Sequence, residues 1–175
     1  FACTEWLFLP GYACGFGSRK EMLVDKLGDP DCIFEKIRHF IKNVPAVFMP
    51  QGFNDREHNK KLNLMNPENG ASITGEAGDD IGRGGRKSMY FVDEAAYIEH
   101  QQSVDNALSN TTNCKIDIST YNGNGNPFYR KSMKFDNTRR KFVCDWHDDP
   151  RKDQVWYDKQ CEKKDSVTIA QEIDR

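Results

Sequence analysis

Ser88-Met89-Tyr90-Phe91-Val92-Asp93-Glu94 constrains the fold of this chain more than any other stretch. Four apolar residues run into an acidic pair, and Ala95-Ala96 follow. A short continuous apolar run suits a strand covered on both faces, as in the parallel sheets of α/β proteins. Its end then puts Asp93 and Glu94 at the carboxyl edge, where open α/β sheets bind ligands. The pattern is that of a Walker B segment, in which the Asp holds Mg²⁺ and a neighbouring acid orients an attacking water. A core strand that ends in a polar turn looks the same, so the surroundings must decide.

Periodicity supplies the rest of the framework. Residues 1–9 read as an apolar helix stopped by Pro10-Gly11, and 13–17 as a short strand. The clearest helix spans 30–44, where Ile33, Phe34, Ile37, Phe40, Ile41 and Val44 recur on one face. Asp29 is placed to cap it and Pro30 suits its first turn. Residues 62–66 and 71–75 form a hairpin around Asn66-Pro67-Glu68-Asn69-Gly70. The glycine-rich stretch 76–87 is a loop, 89–92 the buried strand, 101–110 a helix, and 115–119 and 142–146 further strands. Asp149-Pro150 opens a helix to about residue 162, and Ser166 caps a last one through Ile173. This alternation predicts α/β layers around a mainly parallel sheet. A chain of 175 residues suits a single domain over 1–175.

The formal net charge is −2, so no global basic field points to nucleic acid and any DNA contact has to be local. Arg139-Arg140-Lys141 is a basic cluster that reads as a solvated turn. No apolar run is long enough to span a bilayer. The six cysteines form no C-x-x-C pair and none sits at zinc-ligand spacing from a histidine. Reduced, mostly buried thiols of a cytosolic protein are the expectation, with Cys3, Cys32, Cys114 and Cys144 in or beside apolar stretches. The histidines are scattered, and Trp6, Trp146 and Trp156 read as packing residues.

Two segments flank the acidic tip. The strand at 115–119 ends in Ser119-Thr120-Tyr121-Asn122-Gly123. The hydroxyls of Ser119 and Thr120 and the carboxamide of Asn122 can donate to phosphate without adding charge. An ordinary polar turn has the same composition. Before the acidic strand lies Gly82-Arg83-Gly84-Gly85-Arg86-Lys87-Ser88, which resembles the P-loop pattern G-x-x-x-x-G-K-[ST]. Arg86 takes the place of the glycine before the lysine, and a strand follows where a P-loop must open a helix. It is therefore not a Walker A loop, and no other stretch of the chain is one. Arg83 and Arg86 are candidates for an arginine finger, against the plainer reading of a solvated basic loop.

Taken together, these stretches resemble the large terminase subunit of tailed bacteriophages, the motor that packages DNA into proheads. The similar stretches include Gly17-Ser18-Arg19-Lys20-Glu21 with Leu23-Val24-Asp25, Gly28-Asp29-Pro30-Asp31 with Phe34-Glu35-Lys36-Ile37-Arg38, and Asn66-Pro67-Glu68-Asn69-Gly70. They continue with Ile73-Thr74-Gly75-Glu76-Ala77-Gly78, Gly82-Arg83-Gly84-Gly85-Arg86, Phe91-Val92-Asp93-Glu94-Ala95-Ala96, Ile118-Ser119-Thr120 and Gly125-Asn126-Pro127-Phe128-Tyr129. The tail Ile169-Ala170-Gln171-Glu172-Ile173-Asp174 is similar as well. The resemblance implies a RecA-like P-loop NTPase sheet of the additional-strand type. It implies Asp93 as the Mg²⁺-associated Walker B acid, Glu94 as general base, and Ser119, Thr120 and Asn122 on the coupling motif. It further implies ATP and Mg²⁺ as cofactors. The implied partners are double-stranded DNA, a portal protein, a small terminase subunit and sister copies in a homo-oligomeric ring in the host cytoplasm, with no membrane. Walker A and the adenine-binding segment are expected upstream of Phe1 and the nuclease domain beyond Arg175. On that reading the chain alone is an inactive part of an ATPase domain; the alternative is a non-enzymatic prophage remnant that folds without binding nucleotide.

Overall fold

The computed structural model describes residues 1–134 and 140–174, so Arg139 of the basic cluster lies outside the described residues. The chain forms two compact units, Phe1–Ile118 and Ser119–Arg175.

In the first unit, helix α1 (Ala2–Phe8) leads into strand β1 (Ala13–Ser18). Helices α2 (Glu21–Val24), α3 (Ile33–Lys42) and α4 (Asp55–His58) follow, then strands β2 (Asn59–Lys60), β3 (Asn63–Met65) and β4 (Ser72–Ala77). Strand β5 (Met89–Asp93), helix α5 (Gln101–Thr111) and strand β6 (Lys115–Ile118) complete it. The six strands lie in the order β2-β3-β4-β1-β5-β6. β4, β1, β5 and β6 run parallel, and β2 and β3 add an antiparallel edge. The mainly parallel sheet read from the sequence is therefore present, and so is the hairpin, with Leu64 opposite Ile73 and Met65 opposite Ser72.

β1 is central, and its sequence Ala-Cys-Gly-Phe-Gly-Ser explains how the sheet is covered. Cβ atoms alternate across a strand. Cys14 is fully buried and Phe16 stacks on Phe91 of β5 with ring centroids 5.0 Å apart. On the opposite face Gly15 leaves room for the buried Tyr90 ring, which an added Cβ would overlap. Gly17 does the same for Ile81, at 2.9 Å from the nearest side-chain atom. The main core gathers Trp6, Val24, Phe34, Ile37, Ile41, Leu64 and Ile73. Burial of such side chains contributes about 1.5–3 kcal/mol each.

One polar cluster is built into this apolar layer. Arg38 of α3 and Asp25, both buried, make a bidentate pair at 2.7 and 2.8 Å. The Leu62 amide donates to the same carboxylate at 2.7 Å, and Glu35 accepts from Arg38 at 2.7 Å. Burial pushes the Asp25 carboxyl up, but the Arg38 guanidinium and the Leu62 amide outweigh it and hold it below the ordinary carboxylate value. The helix around Arg38 starts later than the expected residue 30. Asp29 is spent on a preceding turn, accepting from the Asp31 and Cys32 amides, and Cys32 becomes the N-cap without a side-chain capping bond.

The second unit carries helices α6 (Pro127–Met133), α7 (Gln154–Lys163) and α8 (Ser166–Glu172). Asn126 caps α6, with Pro127 in its first turn. The strand expected at 142–146 does not form. Phe142 is 88% exposed, and a 3₁₀ turn at Trp146–Asp148 capped by Asp145 takes over. Aromatic residues found no sheet to join here; Trp146 stacks on Tyr157 of α7 instead, 5.0 Å between centroids. α7 begins at Gln154 because Asp149 binds Arg151, leaving Asp153 to cap the helix. Asp165, not Ser166, caps α8. Cys144 and Cys161 are exposed, against the expectation of mostly buried thiols; Cys14 and Cys32 are buried. Among the described residues no helix is long and apolar enough to cross a membrane.

Candidate functional site

The carboxyl ends of β1 and β5 meet at the sheet's edge. Gly17 registers with Val92, so Ser18 and Arg19 come out of the sheet beside Asp93 and Glu94. Asp93 is half-buried at the end of its strand, and its Oδ1 accepts from the Glu94 amide at 3.0 Å. Glu94 sits in the left-handed region, φ 51° and ψ 38°. For a residue other than glycine this conformation costs about 1–3 kcal/mol, and such outliers cluster at functional sites. The turn that follows is held by the Tyr97 amide, which donates to the Glu94 carbonyl at 2.9 Å. The turn is what aims the Glu94 side chain back across the strand ends.

There it meets Arg19. The Arg19 Nε–H donates to Glu94 Oε2 at 2.5 Å, and the guanidinium lies 5.7 Å from the Tyr97 ring centroid. Both side chains of the ion pair are partly exposed, so the attraction by itself stabilises the fold little. Next to Arg19, the Ser18 side chain is fully buried and its hydroxyl has no hydrogen-bond partner. Sequence reading assigned no role to Arg19. The available signal was its position just past a strand that is parallel to, and adjacent to, the acidic one.

The glycine-rich loop is also a built object. Glu76, near the end of β4, accepts from the Gly82 amide at 2.6 Å, the Gly84 amide at 2.9 Å and the Tyr90 hydroxyl at 2.7 Å. Burial and the Glu76 carboxylate push the Tyr90 hydroxyl far above its ordinary value, so it stays a donor. A Cβ at Gly84 would collide with the Glu76 carboxylate, and Gly82 needs φ +82. Thr111 of α5 adds a bond from its hydroxyl to the Gly82 carbonyl at 2.6 Å and accepts from the Lys87 amide at 2.9 Å. The loop before β5 is thus pinned, and not the flexible connection its glycines suggest. Arg83 and Arg86 are both exposed on it; the Arg83 Nε–H donates to the Asp79 carbonyl at 2.7 Å. The role of Glu76 was not legible because a lone glutamate in a strand resembles any solvent-facing residue.

Ser119, Thr120 and Asn122 belong to the second unit, directly after Ile118, the residue registered with Asp93. Thr120 donates to Glu172 of α8 at 3.2 Å, and the Asn122 carbonyl accepts from Asn126 at 2.7 Å. Their placement after the strand next to β5 is a matter of chain order.

A Mg²⁺ ion fits the tip of β5 in donor chemistry. It takes hard oxygen ligands, binds through one or two carboxylates and keeps waters and phosphate oxygens for the rest. Asp93 offers such a carboxylate with only Oδ1 engaged by the backbone. Among the described residues no group of three or more His, Cys, Asp and Glu could hold a metal alone.

No family model matches the sequence, and no curated protein matches it. Solved structures do. The chain is similar to the large terminase ATPase domain of Thermus phage P74-26, with a TM-score of 0.72 and 17% identity over 99% of this chain and 79% of that one. It is also similar to an arginine-to-alanine mutant of the same domain, with a TM-score of 0.68 and 17% identity over 99% of this chain and 80% of that one. The six-stranded, mostly parallel sheet flanked by helices thus has the RecA-like fold of that large terminase ATPase domain.

Proposed function

We propose that the chain is the Walker B and coupling part of an ATPase that drives double-stranded DNA into viral proheads. The observation that carries this reading is the left-handed Glu94 at the tip of β5, beside Asp93 and on the carboxyl edge of the sheet. In this reading Asp93 holds Mg²⁺, which supplies charge neutralisation at the β- and γ-phosphates of ATP. Glu94 accepts the proton of the water that attacks the γ-phosphate. Arg83 or Arg86, presented by a loop that Glu76 fixes, neutralises charge on the γ-phosphate oxygens in its own subunit or a neighbour's. Ser119, Thr120 and Asn122 are the coupling residues of this reading. No stretch of these 175 residues has the phosphate-cradling loop pattern.

Glu94→Gln tests this reading. Gln keeps the shape and cannot take a proton. In the full-length protein it is expected to abolish steady-state ATP turnover while nucleotide binding, followed by fluorescent-analogue titration, persists. An unchanged kcat moves the base elsewhere and removes the central assignment.

A further inference from the structure

We propose that Glu76 is the positioning residue of the arginine loop, clasping it to the acidic strand; the role rests on the reading of Arg83 or Arg86 as the finger. Both carboxylate oxygens are used. Oε2 accepts from the Gly82 amide at 2.6 Å and the Tyr90 hydroxyl at 2.7 Å, and Oε1 accepts from the Gly84 amide at 2.9 Å. The two clasped amides stand on either side of Arg83. Arg86 lies between Gly84 and Lys87, whose amide donates to the Thr111 carbonyl at 2.9 Å. Each arginine therefore projects from backbone that is fixed before and after it.

The third bond reaches across the sheet. Glu76 is on β4 and Tyr90 on β5, with β1 between them. Gly15 of β1 has no side chain, so the Tyr90 ring lies over that strand and brings its hydroxyl to Glu76. Tyr90 stands three residues before Asp93 on the same strand. One carboxylate thus joins the backbone of the loop to the strand that ends in the acidic pair, and the arginines are presented from a frame that moves with that strand. Three donors converge on Glu76, so the position needs a group that only accepts. A glutamine has the same shape but puts N–H donors against an amide that also donates.

The test compares Glu76→Gln, Gly84→Ala and the paired Arg83→Ala/Arg86→Ala variant in the full-length protein. Gly84→Ala opens the clasp from the loop side, because a Cβ there meets the Glu76 carboxylate. Gly84 is exposed and outside the left-handed region, so alanine adds neither core damage nor backbone strain. Displacing a reacting group by about 1 Å can cost on the order of 10²-fold in rate. Glu76→Gln and Gly84→Ala are each expected to lower kcat by about that factor, with the KM for ATP changed less than roughly twofold. A merely structural carboxylate would lower the melting temperature without separating kcat from KM. A second arm needs no turnover. Trypsin cuts after arginine, and cleavage at Arg83 or Arg86 well below the melting temperature is expected to quicken about tenfold, the factor for losing one hydrogen bond to a charged group. Where Glu76→Gln does not fold, or where the two variants differ, Gly84→Ala decides. Parental kcat in Gly84→Ala with turnover lost in the paired arginine variant overturns the positioning role and leaves the finger reading standing. Parental kcat in the paired arginine variant overturns the finger and the role with it. Parental tryptic cleavage in Gly84→Ala overturns the clasp itself.

Discussion

A left-handed glutamate beside an aspartate at a strand tip is a costly arrangement to keep, and the residues around it show what keeps it. Glu94 is tied through its own turn to Tyr97 and through its side chain to Arg19. The loop arginines depend in the same way on Glu76, whose carboxylate takes two amides and the Tyr90 hydroxyl. Because the loop is pinned, alanine at Arg83 or Arg86 should leave the fold intact and act on rate. Arginine fingers raise rates by about 10³–10⁵. One of the two alanine variants of the full-length protein is therefore expected to lose most of its kcat with little change in melting temperature. If the finger acts across subunits, mixing that variant with Glu94→Gln restores some phosphate release. Parental kcat in both alanine variants reduces the loop to a solvated connection.

The Asp25–Arg38 pair is the residue-scale determinant of stability. Arg38→Ala leaves a buried carboxylate unpaired and is expected to cost about 3–5 kcal/mol in urea unfolding. Arg38 is expected to matter through pH as well. The folded Asp25 carboxyl is held below its unfolded value. Its contribution is therefore fully present above the unfolded carboxylate value of about 4 and is lost as pH falls through the lower, folded value. Unfolding free energy measured against pH should fall on the acid side in the parent, with a shallower fall in Arg38→Ala. Equal slopes contradict the assignment.

At the scale of elements, apolar pattern and turn chemistry were enough wherever an element packs on the sheet. The acidic strand, the helix around Phe34 and Ile37, and the hairpin turned by Asn66 to Gly70 are where the sequence places them. Boundaries shifted where short polar residues chose between a cap and a turn, as Asp29 and Asp149 did. The apolar run 142–146 misled because alternation signals a strand only when a sheet edge is there to receive it, and Phe142 is exposed. The site was half legible. Asp93 and Glu94 announce themselves by following four apolar residues, whereas Arg19 and Glu76 act through register, which one strand's sequence does not contain. The packing of β1 on β5 gives an element-scale test. Gly15→Ala drives a Cβ into the buried Tyr90 ring. Over-packing of this kind costs about 1–3 kcal/mol, and thermal unfolding of the variant should show it. A neutral effect means that Tyr90, and with it the bond to Glu76, can be displaced without cost.

On the scale of the whole molecule, the first unit carries the acidic tip and the arginine loop, and the second begins at the polar residues that follow β6. The fold is shared with the terminase ATPase domain, and the acidic tip has to be tested on its own. The most direct measurement is anomalous diffraction from the full-length protein crystallised with a non-hydrolysable ATP analogue and Mn²⁺ in place of Mg²⁺. The account predicts a manganese peak in coordination range of the Asp93 carboxylate, with the terminal phosphate facing Glu94. Manganese and phosphate ordered away from the end of β5 would contradict it.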